Sequence, residues 1–328
     1  MRAALSLGAL FVLACTSEPL PTPRDPAGPV LTATAPPTFS ASAPPTPTFE
    51  PLLSSLDDEL FPRLSPTGTL VFTRESLASA TSNAAIFALE VGAASADGAA
   101  RRLTREGKYG SIPALSRDGA TLVYLSNALG PLALLKTTVA ADGPTSVVVS
   151  SDKAREPSDP TLSPDGNTVA FSFVAADGVR TIATVGLDGS KLTPLFPGRA
   201  PAFAPDGRTL VFVAPASGHN HLFVATLPST DAAPSAPRAL TQGNFDCDHP
   251  SFSPDGRRIV FSSNREFAEH GAPRETFLRI FVMNADGSSP RALTPADVRA
   301  ATPSWGFDGR VYFAFSRGES FDLARLQP

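Results

Sequence analysis

One stretch, repeated six times, restricts the fold more than any other feature of the chain. Residues Pro250–Phe261 read PSFSPDGRRIVF, and related copies begin at Pro62, Pro113, Pro160, Pro201 and Pro303. The starts lie 51, 47, 41, 49 and 53 residues apart. A period in the forties, made of short apolar runs and turns, describes a ring of small antiparallel sheets rather than one layered core.

Each copy opens on a turn whose chemistry is legible. In Ser253-Pro254-Asp255-Gly256, Pro presets φ at the second position, Ser and Asp suit the first and third, and Gly accepts the left-handed conformation. The other turns are Ser65–Gly68, Ser116–Gly119, Ser163–Gly166, Ala204–Gly207 and Gly306–Gly309, and all keep the final Gly. A near-continuous apolar run follows each one, such as Leu70-Val71-Phe72 or Ile259-Val260-Phe261. A strand with one wet face would alternate, so these runs predict strands covered on both faces. A third strand follows (Ile86–Leu89, Leu132–Leu135, Thr181–Val185, Leu222–Ala225, Ile280–Met283, Phe321–Ala324). Then comes a turn usually containing Asp-Gly, and a fourth strand expected to end in Leu-Thr (103–104, 192–193, 240–241, 293–294). The sixth unit stops before its fourth strand. In complete units the Leu of Leu-Thr precedes the next repeat Pro by 9 or 10 residues, and the same count back from Pro62 reaches Leu52 and Leu53. The expectation is an all-β, six-bladed β-propeller of four-stranded antiparallel blades, closed by an N-terminal strand at Glu50–Ser54. Closure removes the free sheet edges that an open stack would leave.

The run from Pro250 to Thr294, with its SFSPDGRRIVF, IFVMNADGSS and RALT segments, resembles the repeats of the TolB-type six-bladed propeller. That resemblance extends over about residues 50–328. It implies the fold and an envelope protein as partner, which for TolB is the peptidoglycan-associated lipoprotein. The small α/β domain that precedes the propeller in TolB has no counterpart here. The pattern also resembles oligogalacturonate lyases, which hold a metal with several inner-strand histidines; only His249 lies near such a position. Serine peptidases that carry such propellers have a Gly-x-Ser-x-Gly elbow, and the chain contains none.

The N-terminus predicts export and anchoring. Arg2 is followed by an apolar run from Ala3 to Ala14, too short to span a bilayer but suited to a signal peptide. Val12-Leu13-Ala14-Cys15 resembles a bacterial lipobox, which makes Cys15 the lipid attachment site. Residues 1–14 are then the signal peptide, and residues 15–49 the lipidated cysteine and a Pro/Ser/Thr-rich tether. Such a segment has too little apolar surface to offset its ordering entropy. Residues 50–328 form the propeller. Thr16 after the cysteine, by resemblance to enteric lipoproteins, favours the outer membrane facing the periplasm. With Cys15 acylated, Cys247 has no intrachain partner and is expected to be buried or simply tolerated.

A net charge of −4 argues against nucleic-acid binding, which needs a basic face. Candidate contacts fall on the face formed by the blade-linking loops and the loops between second and third strands. All four histidines map there: His219 and His221 in the fourth unit, His249 in the loop entering the fifth, His270 in the loop Asn264–Glu275. Asp246, Asp248, Glu266 and Glu269 accompany them, and Asp159 and Asp248 precede inner strands facing the central channel. The binding candidates are Asp159, Asp246, Asp248, His249, Glu266 and His270. Imidazoles and carboxylates are the donor set for zinc, and His219, His221, His249 and His270 are its candidates. Their spacings match no fixed signature, so no metal, cofactor or catalytic residue is assigned. The sequence predicts a monomeric, non-catalytic, lipid-anchored envelope propeller that presents a loop face to a protein or glycan. The alternative is a propeller enzyme, of polysaccharide lyase or lactone hydrolase type, with a His/carboxylate metal site on blades 4 and 5.

Overall fold

The computed structural model describes residues 48–53, 55–76, 84–91, 100–140, 143–228, 233–265, 278–316, 318 and 320–328. The short strand β1 (Glu50–Pro51) comes first and is used last. Blade 1 follows as β2 (Asp58–Leu64), β3 (Thr69–Glu75), β4 (Ala84–Glu90) and β5 (Arg101–Arg102). Blade 2 is β6 (Gly110–Leu115), β7 (Thr121–Ser126), β8 (Ala133–Thr138) and β9 (Ser146–Val149). Blade 3 is β10 (Arg155–Leu162), β11 (Thr168–Val174), β12 (Arg180–Gly186) and β13 (Thr193–Pro197). Blade 4 is β14 (Arg199–Phe203), β15 (Thr209–Ala216), β16 (His219–Thr226) and β17 (Arg238–Ala239). Blade 5 is β18 (Cys247–Phe252), β19 (Arg258–Ser263), β20 (Arg279–Asn284) and β21 (Arg291–Ala292). Blade 6 is β22 (Arg299–Trp305), β23 (Val311–Ser316) and β24 (Asp322–Leu326), with β1 paired to β24 as its outer strand.

Each sheet is an antiparallel meander, and the first strands of successive blades touch in cyclic order, blade 6 meeting blade 1. The predicted closure is therefore present. Glu50 pairs with Arg325 and Pro51 with Ala324, and the Leu52 and Leu53 amides both donate to the Leu323 carbonyl. Phe49 adds ring contacts to Phe313 and Phe315, with centroids 5.6 and 4.9 Å away.

The apolar runs become second strands that are buried on both faces: Leu70, Val71 and Phe72 are all fully buried, as are Leu210 and Val211. The core consists of layers between blades, one joining blades 2 and 3 and another blades 4 and 5. The aromatic residue ending each run, Tyr124 in blade 2 and Phe in the others, pairs with the third strand. Phe72 lies opposite Phe87, Phe212 opposite Phe223, and Phe261 opposite Phe281, with stacked rings about 6 Å apart. Such directly opposed aromatic pairs are among the cross-strand contacts that stabilise a sheet.

The turns work as their residues predict. Ser253 Oγ donates to Asp255 Oδ1 at 2.6 Å and accepts the Arg258 amide, while the Gly256 amide donates to the Ser253 carbonyl. Equivalent bonds hold the turns at Ser116 and Ser163, and the six closing glycines have φ between 70° and 93°. The Leu-Thr pair also has a defined role. Leu103, Leu240 and Leu293 donate their amides to the third strand, and the Thr104, Thr241 and Thr294 hydroxyls accept an amide from it. Blade 3 departs from the expectation: Leu192-Thr193 stands at the start of β13, not its end. The short 41-residue step to the next unit leaves β13 running to Pro197, directly before β14.

Candidate functional site

The residue before each repeat proline has a positive φ: Phe61, Ile112, Asp159, Ala200, His249 and Thr302, all between 47° and 57°. Non-glycine residues seldom adopt this region, and a residue preceding proline prefers extended backbone. The cause is visible in the ladders. Every first strand has a register shift spanning the proline, for instance between Asp248 and Ser251 and between Leu60 and Arg63. Proline has no amide to give, so the ladder breaks there, and the residue before it is turned outward in a bulge. Among the described residues the far edge of each first strand, which faces the axis, has no partner strand. A proline bulge in mid-edge keeps that edge from templating another strand. The six bulge residues thus stand on the strands nearest the axis, held in a sparsely populated conformation.

Several bulge amides are satisfied by the preceding blade. Phe61 N donates to Thr302 Oγ1 at 3.1 Å, Ile112 N to Thr73 Oγ1 at 3.1 Å, and Ala200 N to Asp159 Oδ2 at 3.3 Å. Side chains from alternate blades also meet. The rings of Phe61 (blade 1) and His249 (blade 5) stand 5.6 Å apart at 61°. Arg63 of blade 1 is near enough to Asp159 of blade 3 and to His249 for their charges to interact. Alternate blades share only the axis, so Phe61, Arg63, Asp159 and His249 form its centre. Burial pulls the Arg63 guanidinium down to about 10, with Asp159 opposing, so it remains cationic at neutral pH.

A second charged pair borders this centre. Arg199 Nη1 donates to Asp248 Oδ1 at 2.5 Å, and the same oxygen accepts the His249 amide at 2.8 Å. Burial would raise the Asp248 carboxyl, but Arg199 and His249 outweigh it and hold it below the usual range. Burial lowers the His249 imidazole in spite of Asp248 and Asp159 nearby. The carboxylates are thus already engaged: Asp159 Oδ2 also accepts from Ser172 Oγ at 2.9 Å. His249 and both aspartates lie inside the bulged first strands, not in loops ahead of them, because each strand continues past its bulge.

Asp246 sits off the axis. It accepts the Asn220 amide at 2.8 Å and lies 3.7 Å from His219 Nδ1. His219 and His221 project from the same strand, β16, with ring centroids 6.3 Å apart. His221 turns into the blade against Phe245 and Thr241, and burial, then His219, lowers its imidazole. These two histidines and His249 do not converge. Among the described residues no group of three or more His, Cys, Asp or Glu is placed to hold a metal. Glu266, Glu269 and His270, Cys15 and the whole of residues 1–47 lie outside the described residues. Cys247 is buried, and its thiol is pushed up to about 12 by that burial.

Sequence reading missed Phe61, Arg63 and Arg199. A signal for Arg63 existed. The residue after the repeat proline is Ala114, Thr161, Ala202, Ser251 and Ser304 in the other copies, so a large cation at that position stands out once the copies are aligned.

Comparison with known proteins agrees with this architecture. Residues 195–327, which span blades 4 to 6, match the family model of the TolB beta propeller domain. Among solved structures, a protein described as TolB from Agrobacterium tumefaciens superposes with a TM-score of 0.57 at 24% identity, covering 68% of this chain and 76% of that one. TolB from Acinetobacter baumannii gives 0.61 at 18% identity, covering 77% of this chain and 58% of that one. A gluconolactonase from Xanthomonas campestris gives 0.58 at 17% identity, over 92% and 98%. No curated protein matches the chain in sequence. At these identities the superpositions show the fold alone, an all-β propeller shared with proteins described as TolB and with a gluconolactonase.

Proposed function

We propose that the protein is a non-catalytic binding module of the cell envelope, lipid-anchored through Cys15. Its loop face and channel take a protein or glycan partner. One observation carries the binding part: the Asp159 and Asp248 carboxylates at the axis are already acceptors within the fold. Asp248 is fixed by Arg199 and by the His249 amide, and Asp159 by Ser172 and the Ala200 amide. A general base must be free to take a proton from a substrate, whereas groups locked in this way present a rigid pattern of charge. The anchoring part rests on the Val12-Leu13-Ala14-Cys15 segment behind an apolar leader.

The test compares capture of envelope components, proteins and glycans separately, by the wild-type propeller and by a variant with Arg63→Ala and His249→Ala. Loss of a defined partner from the variant, with its melting temperature kept, is the expected outcome. Identical capture by both would overturn the channel as the contact. For the anchor, Cys15→Ser should abolish incorporation of labelled palmitate, and equal labelling would refute lipidation at that residue.

A further inference from the structure

The other end of the channel, where the Ser-Pro-Asp-Gly turns gather, is chemically different. A cavity of about 160 Å³ opens there, lined by residues from five blades. Its wall is made by one repeat position, the second residue after the proline: Leu115, Leu162, Phe203, Phe252 and Trp305, with Phe307 at the rim. The Trp305 indole is pinned by its Nε1 donating to the Gly309 carbonyl at 3.1 Å and by the Arg258 guanidinium stacked 4.6 Å from its ring. An apolar cavity of about 150 Å³ lined by comparable side chains binds benzene in another protein, so this one has room for a single ring.

The polar character of the rim is concentrated in one residue. The second position of the turn is proline in four blades, but Arg117 in blade 2 and Phe307 in blade 6. Ser163 and Ser253, which also line the cavity, spend their hydroxyls within their own turns. Asp118, beside Arg117, accepts from Ser116 Oγ and the Ala120 amide. Among the described residues no carboxylate pairs with Arg117, which is exposed. An aromatic wall with Arg117 as the one charged residue in its lining fits an aromatic ring carrying a carboxylate.

We propose that the turn-side mouth of the channel binds a small aromatic carboxylate, its ring against Phe203, Phe252 and Trp305 and its anion at Arg117. This site is separate from the loop-face contact and does not depend on it.

Trp305 is the one tryptophan in the chain, so intrinsic fluorescence reports on the cavity directly. Phenylacetate titrated into the full chain should change that fluorescence saturably, while acetate should not. Arg117→Ala, at an exposed turn position, should weaken phenylacetate by about fivefold and leave the neutral analogue benzyl alcohol unchanged. Leu115→Phe should fill the cavity and remove the response at an unchanged melting temperature. A non-saturating response to phenylacetate, or equal affinity in the wild type and Arg117→Ala, would overturn the proposal.

Discussion

Thr294 illustrates how much a single hydroxyl does in a blade this narrow. Its Oγ1 accepts the buried Ile280 amide at 3.1 Å, just beyond the point where β21 ends, and Thr104 and Thr241 do the same in blades 1 and 4. Thr294→Val keeps the shape and strands a buried donor, which costs on the order of 2 kcal/mol. The expected outcome is a melting temperature lowered by roughly 5 °C, measured by calorimetry against Thr294→Ser, which keeps the acceptor. The Leu-Thr motif was visible in the sequence, but its role was not, because a hydroxyl's partner depends on strand register. Gly287 is a similar case. Its φ of 96° and the Leu240 carbonyl oxygen 2.7 Å from where a Cβ would stand rule out any side chain there.

Among elements, β1 bears the most consequence for its size. Two residues pair with β24, yet around them Glu50 bonds Arg325 at 2.9 Å through both oxygens, Phe49 packs on two phenylalanines, and Leu53 is buried. Deleting residues 1–55 should cost on the order of 5 kcal/mol, since it removes the half-buried Phe49, the buried Leu53 and the β1 ladder together. Deleting residues 1–39 should cost nothing measurable. Equal melting temperatures for the two truncations would refute closure through this strand. The location of β1 could be counted from the repeat spacing alone, since the ring needs a sixth outer strand. The bulges were not legible in this way: the repeat proline marks them, but the positive φ before it follows from the ladder that proline interrupts.

At the scale of the whole ring, the seam between blades 6 and 1 concentrates buried acid. Asp58 Oδ1 accepts the Phe321 amide, Asp322 Oδ1 accepts the Ser55 amide, and Glu59 bonds Arg74 at 2.6 Å and Ser55 at 3.2 Å. Burial pushes Glu59 up to about 7 despite Arg74, and burial also raises Asp58. A carboxyl raised in the folded state binds more protons there than in the unfolded chain. Stability therefore falls as pH rises from the ordinary value of 4.5 to about 7, and is flat beyond. Asp248, held low, acts in the opposite sense and only below its ordinary range. His221 and His249, lowered by burial, oppose Glu59 below their ordinary value of 6.5, so the difference between variants is what reports on it. The wild-type melting temperature minus that of Glu59→Gln should fall between pH 5 and pH 7, and a constant difference would show that Glu59 does not titrate there.

The sequence by itself determined the blade, its turns, the number of units and the closing strand. Each of those is a local pattern of φ preferences and apolar spacing repeated within about fifty residues. Only the tertiary structure decided what stands at the two ends of the channel. Phe61, Arg63, Asp159 and His249 come from alternate blades, and the cavity wall from five of them, so no local spacing relates these residues. They meet because the ring closes, and closure brings one repeat position from every blade to a common axis.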